Sequence, residues 1–295
     1  MRNSIKQLID ALKERLSGIY QDPSQAEHVA WWLACYVMKQ TKIQLLMLDA
    51  IELTREQSDI LEKVLDKHIN ECMPLQYILG FVPFLDLIIL VKPPILIPRN
   101  ETEEWCYNLI NNLQHLKNKN FKILDLCTGS GCIALSLAKA FPNAYVDAID
   151  ISPAALALAQ ENATYNNITN VNFFQSDLYS SIPSTTRYDV IVANPPYISF
   201  AEYQSLDAMV AHWEDSGALM AENNGLSIIN KIIDGAAQYL VLHNEMATLG
   251  LPQLFIEIGH LQGSVVKHYM EQAGFKNVCI VKDLARKDRV VIGGL

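Results

Sequence analysis

The fold of this chain is decided by one stretch, KILDLCTGSGCIALSLAKAF, at residues 122–141. Its first residues are mostly apolar and predict a buried strand, whereas residues 132–141 have the composition of a helix. Gly129 and Gly131 lie between the two, where glycine allows the backbone to turn tightly. The stretch therefore predicts the first strand and helix of a doubly wound α/β domain. Its glycines also predict close approach of the backbone to a ligand, with a simple strand-to-helix turn as the alternative.

The residues after this stretch continue the alternation of strands and helices. Strands are predicted at residues 144–150, 171–174, 188–193 and 253–258, and helices at residues 152–163, 225–242 and 263–272. Two last strands, near residues 277–282 and 289–292, are too close together for a helical crossover. They predict an antiparallel hairpin at the edge of an otherwise parallel sheet.

The chain before this domain has a different pattern. Apolar residues at helical spacing predict only helices from residue 4 to about residue 72. Two of these helices are predicted to begin at capping boxes, Ser24-x-x-Glu27 and Thr54-x-x-Gln57.

Pro74 is predicted to end the helical part, because proline disrupts a helix interior. Apolar runs between glycines and prolines then predict a β-hairpin connector. The predicted parts are an N-terminal helical domain at residues 1–73, the connector at residues 74–100, and the α/β domain at residues 101–295.

Composition and charge exclude several classes of protein. Half of the 295 residues are apolar and 19% are charged, which excludes a disordered chain. A net charge of −9 gives no general attraction to nucleic acid. The six cysteines form no Cys-x-x-Cys pair, so we expect reduced thiols and no metal site. The N-terminus lacks the apolar run of a signal peptide or membrane span, so we expect a cytoplasmic protein.

Aspartates follow three successive strands of the predicted sheet. Asp150 ends the strand after the glycines, where a carboxylate can accept both hydroxyls of a ribose. Asp125 precedes the glycines, where it would repel a pyrophosphate and suit the sulfonium and ammonium groups of S-adenosylmethionine. Asp177 follows the third strand and can receive an adenine amino group, with a helix or turn cap as the alternative. The aspartates favour S-adenosylmethionine over a dinucleotide.

The fourth strand, VIVA, runs directly into Asn194-Pro195-Pro196-Tyr197. The Asn side-chain oxygen and a backbone carbonyl can converge on the two hydrogens of one planar NH2 group. Two such acceptors can align a poorly nucleophilic amide nitrogen and stabilise the charge that develops on it. Tyr197 is predicted to pack flat against the acceptor. A proline-rich turn that simply ends a strand is the alternative.

At this point the sequence resembles the class I S-adenosylmethionine-dependent glutamine methyltransferases of the HemK/PrmC type, over nearly its whole length. The stretches that carry the resemblance are PLQYILG, ILIPRNETEE, LDLCTGSGCIALSLA, AIDISPAALALAQENA, SDLY, IVANPPYIS, FIEIG and KDRVVIG. The resemblance implies a Rossmann-like methyltransferase domain with an N-terminal helical domain that recognises the substrate. It also implies that the substrate is the glutamine in the Gly-Gly-Gln motif of class I peptide-chain release factors.

The resemblance also implies which residues form the site. The cofactor-binding residues that it implies are Cys127, Thr128, Gly129, Ser130, Gly131, Asp150, Leu178 and Asn194, to which the residue-level argument adds Asp125 and Asp177. Asn194, Pro195, Pro196 and Tyr197 are predicted to hold the glutamine and to carry the catalysis. Three positions depart from the family pattern: Cys127 replaces a glycine of many members, and Asn100 and Asp215 each replace a proline.

Several functions remain as alternatives. CTGSGC also occurs in the sister enzymes that methylate a glutamine of a large-subunit ribosomal protein, although PRNETEE and DLARKDRVVIG favour the release-factor type. Asn-Pro-Pro-Tyr is shared with adenine methyltransferases of nucleic acid, which the acidic charge and lack of a basic region argue against. A binding module without activity is a further alternative. An NAD-dependent enzyme is a weaker one, because no acid or base for hydride transfer stands beside the glycine turn. We expect a monomer that contacts neither membrane nor nucleic acid.

Overall fold

The structure is a computed structural model, and it describes residues 4–242 and 251–295. The chain divides into two compact units, Met1–Leu79 and Gly80–Leu295, which we call the helical unit and the α/β unit. The division into three parts at residues 73 and 100 remains a prediction. None of the described helices combines the length and the apolar character needed to cross a membrane.

The described part of the helical unit contains helices without strands, as the apolar spacing predicts. Its helices are α1 (Ile5–Leu16), α2 (Pro23–Met38), α3 (Lys42–Leu46), α4 (Arg55–Ile69) and α5 (Leu75–Leu79). Their buried faces form one apolar core that includes Leu12, Leu16, Leu33, Leu45 and Leu65. The capping box at the start of α4 is confirmed, since Thr54 and Gln57 each accept the backbone N–H of the other.

Two predictions for the helical unit are wrong. The cap of α2 is Asp22, not Ser24, because the Asp22 carboxylate accepts the Ser24 N–H at 2.8 Å and Pro23 takes the first helical position. Pro74 does not end the helices, since its carbonyl accepts the N–H groups of Tyr77 and Ile78 in α5. In both cases proline stands at the start of a helix, where its missing N–H is not needed.

The α/β unit begins with an antiparallel hairpin, β1 (Phe81–Phe84) and β2 (Leu87–Leu90). The main strands are β3 (Lys122–Leu126), β4 (Tyr145–Asp150), β5 (Val171–Gln175), β6 (Val190–Ala193), β7 (Leu254–Glu257), β8 (Lys276–Lys282) and β9 (Asp288–Gly294). The helices are α6 (Asn100–Asn112), α7 (Cys132–Ala140), α8 (Pro153–Tyr165), α9 (Phe200–Tyr203), α10 (Ala208–Ala211), α11 (Ser216–Leu219), α12 (Glu222–Gly225), α13 (Ser227–Tyr239) and α14 (Gly263–Gln272). A 3-10 turn at Gln114–Leu116 follows α6.

The seven strands form one sheet in the order β5-β4-β3-β6-β7-β9-β8. Strands β5, β4, β3, β6 and β7 are parallel, and β9 and β8 add the predicted antiparallel hairpin at the edge. The doubly wound α/β fold predicted from the sequence is confirmed. The order runs outward in both directions from β3 and β6, and in such a sheet ligands bind beyond the carboxyl ends of the strands near that point.

Candidate active site

A cavity of about 540 Å³ lies at the carboxyl ends of the central strands. Its walls come from residues that follow β3, β4, β5 and β6, together with segments near residues 95, 215–222 and 227–231. The predicted site residues on its walls are Cys127, Gly129, Asp150, Asp177, Leu178, Asn194 and Pro196. The predicted site residues that do not line the cavity are Asp125, Thr128, Ser130, Gly131, Pro195 and Tyr197. No cluster of three or more His, Cys, Asp or Glu side chains suited to a metal ion occurs among the described residues.

The glycine turn, residues 127–131, is built from backbone conformations that favour glycine. Gly129 and Gly131 have φ of 56° and 82°. A Cβ on Gly131 would lie 3.0 Å from the Cβ of Ala159, so this glycine allows α7 and α8 to pack closely. A Cβ on Gly129 would meet nothing within 4 Å, so space is open above that residue. Cys127 has φ of 59°, a conformation that is strained for a residue with a side chain.

Asp150 is held rigidly at the end of β4. Its Oδ2 accepts the N–H of Gly129 and its Oδ1 accepts the N–H of Ser152, each at 2.9 Å. Burial raises the pKa of the Asp150 carboxyl above its usual range, while these backbone donors act against the rise. Each oxygen keeps a lone pair, so Asp150 can accept further hydrogen bonds from a ligand in the cavity.

Asp125 lies behind the glycine turn, whereas we expected it to face a ligand. Its side chain is fully buried, and its Oδ2 accepts the Thr128 hydroxyl at 2.6 Å. Its Oδ1 has no hydrogen-bond partner among the described residues. Burial raises the pKa of Asp125 to about 7. Through the contact with Thr128, this carboxyl supports the glycine turn from the protein interior.

The segment after β5 supplies Asp177 and Leu178. Asp177 is exposed at the cavity, and its backbone N–H donates to the hydroxyl of Ser180 at 3.2 Å. Leu178 is half-buried, with φ of 47°, and its carbonyl accepts the Ser176 hydroxyl at 2.6 Å. These contacts hold a tight turn that presents one acidic and one apolar side chain to the cavity.

The acceptor turn, residues 194–197, lies at the end of β6. Asn194 is half-buried, and its Nδ2 donates to the hydroxyl of Thr102 at 3.3 Å. The Tyr197 carbonyl accepts the side-chain amide of Gln262 at 2.9 Å. A Cβ on Gly225 would lie only 1.9 Å from that carbonyl oxygen, so position 225 must be glycine for the turn to fit. Side chains and backbone from distant parts of the unit thus fix the acceptor turn.

Sequence reasoning gave no role to Glu257, which is buried at the end of β7. Its Oε2 accepts the hydroxyl of Thr102 and the indole N–H of Trp105, both at 2.7 Å. Its Oε1 accepts the hydroxyl of Tyr197 at 3.3 Å. Burial raises the pKa of Glu257 above its usual range. The available signal was an acidic residue at the end of an apolar strand, in the place that Asp150 has in β4.

Glu214 directly precedes Asp215, one of the three positions that depart from the family pattern, and the structure pairs it with a cation. Its side chain is fully buried, and its Oε2 accepts Nη2 of Arg99 at 2.6 Å. Its Oε1 has no partner among the described residues. The neighbouring Asp215 lines the cavity, and its backbone N–H donates to the Pro94 carbonyl at 2.8 Å. The ion pair therefore holds the segment before α11 next to the cavity.

Comparison with known proteins gives consistent similarities. Residues 7–80 match the domain family described as "PrmC N-terminal domain", and residues 108–240 match the family described as "Methyltransferase small domain". A release factor glutamine methyltransferase of Lactococcus lactis is 39% identical, over 94% of this chain and 96% of the relative. One of Thermodesulfovibrio yellowstonii is 36% identical over 96% of each chain. The solved hMettl16 catalytic domain, in complex with MAT2A 3'UTR hairpin 1, is 16% identical over 81% of this chain and 79% of that chain, with a TM-score of 0.51, a likeness of fold alone.

Proposed function

Because the chain belongs to the release factor glutamine methyltransferases, we propose that it methylates a glutamine side chain of class I peptide-chain release factors. The methyl donor is S-adenosylmethionine, and the acceptor is the amide nitrogen of the glutamine in the Gly-Gly-Gln motif. The observation that carries this proposal is a single cavity lined by both Asp150 and Asn194. One end of this cavity suits a nucleoside, and the other suits a planar amide.

The cofactor half of the cavity has the chemistry that S-adenosylmethionine requires. Asp150 offers fixed carboxylate oxygens to the ribose hydroxyls, and the open space above Gly129 permits close approach of a ligand to the backbone. Leu178 supplies an apolar wall for the adenine, and Asp177 adds a negative charge that favours a cationic ligand. When bound, the cofactor supplies a methyl group activated by a sulfonium charge.

The buried residues of the glycine turn act through its shape. Thr128, Ser130 and Gly131 lie behind the cavity wall, and Asp125 binds Thr128 from below. We therefore assign these four residues to holding the turn, and Cys127 and Gly129 to direct contact with the cofactor. This division refines the site predicted from the sequence.

The acceptor half is suited to the substrate glutamine. Asn194 Oδ1 and a backbone carbonyl of the acceptor turn accept the two hydrogens of the glutamine NH2. Pro196 lies on the cavity wall, where its ring can pack against the amide plane. Tyr197 completes the turn through its hydroxyl and carbonyl contacts. The acceptors align the nitrogen for transfer and stabilise the positive charge that develops on it.

The helical unit is assigned to recognition of the protein around the glutamine. Residues 7–80 match a domain of the same family, and the described part of this unit carries exposed apolar side chains at Ile43, Leu46 and Met47. Exposed apolar surface of this kind is typical of a protein-binding region. A monomer that meets its substrate in the cytoplasm, without nucleic acid, is part of this proposal.

The experiment is a methyl-transfer assay with labelled S-adenosylmethionine and purified release factor. We expect label in the wild-type release factor and none in a variant whose Gly-Gly-Gln glutamine is replaced by alanine. Label in that variant would contradict the assignment of the acceptor. The large-subunit ribosomal protein and an adenine-containing DNA duplex serve as competing substrates, and preferential labelling of either would replace the release factor as substrate.

A further inference from the structure

We propose that Glu257, acting through Thr102, fixes the direction in which the Asn194 amide faces, so that its oxygen is presented to the substrate. The inference deepens the proposed function and rests on it. Glu257 and Thr102 are positioning residues in this account, because neither lines the cavity.

The first link determines which way the Thr102 hydroxyl points. Glu257 is 1% exposed, and Oε2 of its carboxyl group accepts hydrogen bonds both in the ionised form and when a proton lies on Oε1. The Thr102 hydroxyl has one hydrogen and lies 2.7 Å from Glu257 Oε2, so it donates that hydrogen to the carboxylate. The indole of Trp105, which can only donate, contacts the same oxygen at 2.7 Å. Glu257 is therefore the final acceptor in this series of hydrogen bonds.

The second link determines the orientation of the Asn194 amide. With its hydrogen used, the Thr102 oxygen can only accept, so the Asn194 atom 3.3 Å away must be the donor Nδ2. Oδ1, the other end of the amide, is then left for the substrate. The two ends of an amide have nearly the same size, so packing alone would not select between them. The hydrogen-bond chain makes this selection.

The selection matters because the substrate group is itself a donor. A glutamine NH2 facing Asn194 Oδ1 meets an acceptor, whereas the same NH2 facing a rotated Asn194 would meet another NH2. The rotated form cannot align the nitrogen or stabilise charge on it. Loss of the orienting contact should therefore lower kcat, while cofactor binding through Asp150 is retained.

Thr102 is the best position for a test, because Glu257 also contacts Trp105 and Tyr197. Thr102→Val keeps the shape of the side chain and removes the hydroxyl, and Thr102→Ser keeps the hydroxyl. Thr164→Val is the matched control, since the Thr164 hydroxyl makes a helix contact to the Gln160 carbonyl and Thr164 does not line the cavity. The assay is the labelling of release factor, with kcat, KM and the cofactor Kd measured separately.

We expect Thr102→Val to lower kcat about 5- to 10-fold, as the loss of one orienting hydrogen bond of about 1 kcal/mol implies. Its cofactor Kd should stay within about twofold, Thr102→Ser should recover most of kcat, and Thr164→Val should match the wild type. A folded Thr102→Val enzyme with wild-type kcat would overturn the inference, as would a serine variant no better than valine. If Thr102→Val fails to fold, a serine variant with a strongly lowered kcat would also overturn it. If the wild type labels no release factor, the proposed function fails first, and this inference fails with it.

Discussion

In the helical unit the buried His68 has a partner on each ring nitrogen, whereas in the α/β unit two buried carboxyl groups keep an oxygen without one. His68 Nε2 lies 2.8 Å from the Tyr20 hydroxyl, and its Nδ1 lies 2.7 Å from the Met73 carbonyl. Asp125 and Glu214 are buried to a similar degree, yet one oxygen of each lacks a partner among the described residues.

The difference distinguishes a buried polar side chain that supports packing from buried carboxyl groups that lie near a functional site. A buried polar group without a partner is costly. Among the described residues, the helical unit has one such atom, Oε1 of the neutral Gln40 side chain, whereas both such atoms in the α/β unit belong to carboxyl groups. The α/β unit tolerates carboxyl groups in unfavourable surroundings next to a cavity, where their charge or their hydrogen bonds shape a site. A substitution at Asp125 or Glu214 should therefore affect the site, whereas a substitution at His68 should affect the stability of the helical unit.

The largest effect is expected for Asn194→Ala. This change removes one of the two proposed acceptors for the glutamine NH2, and loss of one such electrostatic contact typically lowers kcat about 100- to 1,000-fold. The cofactor Kd should stay within about threefold, because Asp150 remains. Steady-state labelling and calorimetry measure the two quantities. Asn172→Ala on β5 is the control. It removes an exposed hydrogen bond from the Asn172 amide to the Asp147 carboxylate and should keep full turnover.

Asp150→Ala should weaken cofactor binding about 10- to 100-fold, since hydrogen bonds to a charged group contribute about 1.5–3 kcal/mol. Part of the loss comes from the N–H groups of Gly129 and Ser152, which lose their acceptor. Calorimetric titration with S-adenosylmethionine measures the effect. Glu161→Ala, at an exposed carboxylate on α8, should bind as the wild type does, and an unchanged Kd for Asp150→Ala would remove the ribose assignment.

The parts of the site that sequence could predict are those set by local pattern and strand order. Asp150 and Asn194 each end an apolar strand, and parallel strands bring their carboxyl ends to one edge. Thr102 and Glu257 were not predicted, because they are 155 residues apart and their contact exists only after the sheet has formed. No local pattern encodes a contact of that range.

The placement of Asp125 shows a second limit of the sequence. The sequence correctly predicted that Asp125 lies near the end of β3, before the glycines. It did not predict the direction in which the side chain points. The turn folds back so that Thr128 reaches the carboxyl group and shields it from the cavity. The start of α2 was also misjudged. Both Asp22 and Ser24 could cap this helix, and Pro23, which is favoured at the first helical position, selects the earlier residue, Asp22.

Lowering the pH should affect the two units in opposite directions. Burial lowers the pKa of His68, so below about pH 6.5 the unfolded helical unit binds more protons and stability falls as the pH falls. Burial raises the pKa of Asp125 to about 7, so its contribution is largest at acid pH and is lost as the pH rises through 7. Each group changes the free energy of unfolding by at most about 1.4 kcal/mol per pH unit.

Hydrogen exchange of the intact chain measures both trends in one experiment. Between about pH 7.5 and 5.5, and after correction for intrinsic exchange rates, protection in α4 should fall and protection in β3 should rise. The two elements control for each other, since a general effect of pH would move both in the same direction. Parallel changes in α4 and β3 would contradict the proposed contrast between the units.

The smallest effect is expected for Cys127→Gly in the glycine turn. With φ of 59°, Cys127 has a left-handed conformation that costs a residue with a side chain about 1–2 kcal/mol, and glycine removes this strain. The greater freedom of glycine in the unfolded chain takes back about 0.4–1 kcal/mol, so a net stabilisation between about 0 and 1.6 kcal/mol is expected. Denaturant unfolding measures it. Cys106→Gly is the matched control, because Cys106 is fully buried within α6 and the same change there should destabilise by more than about 1 kcal/mol. Equal losses at both positions would show that the turn stores no strain at Cys127.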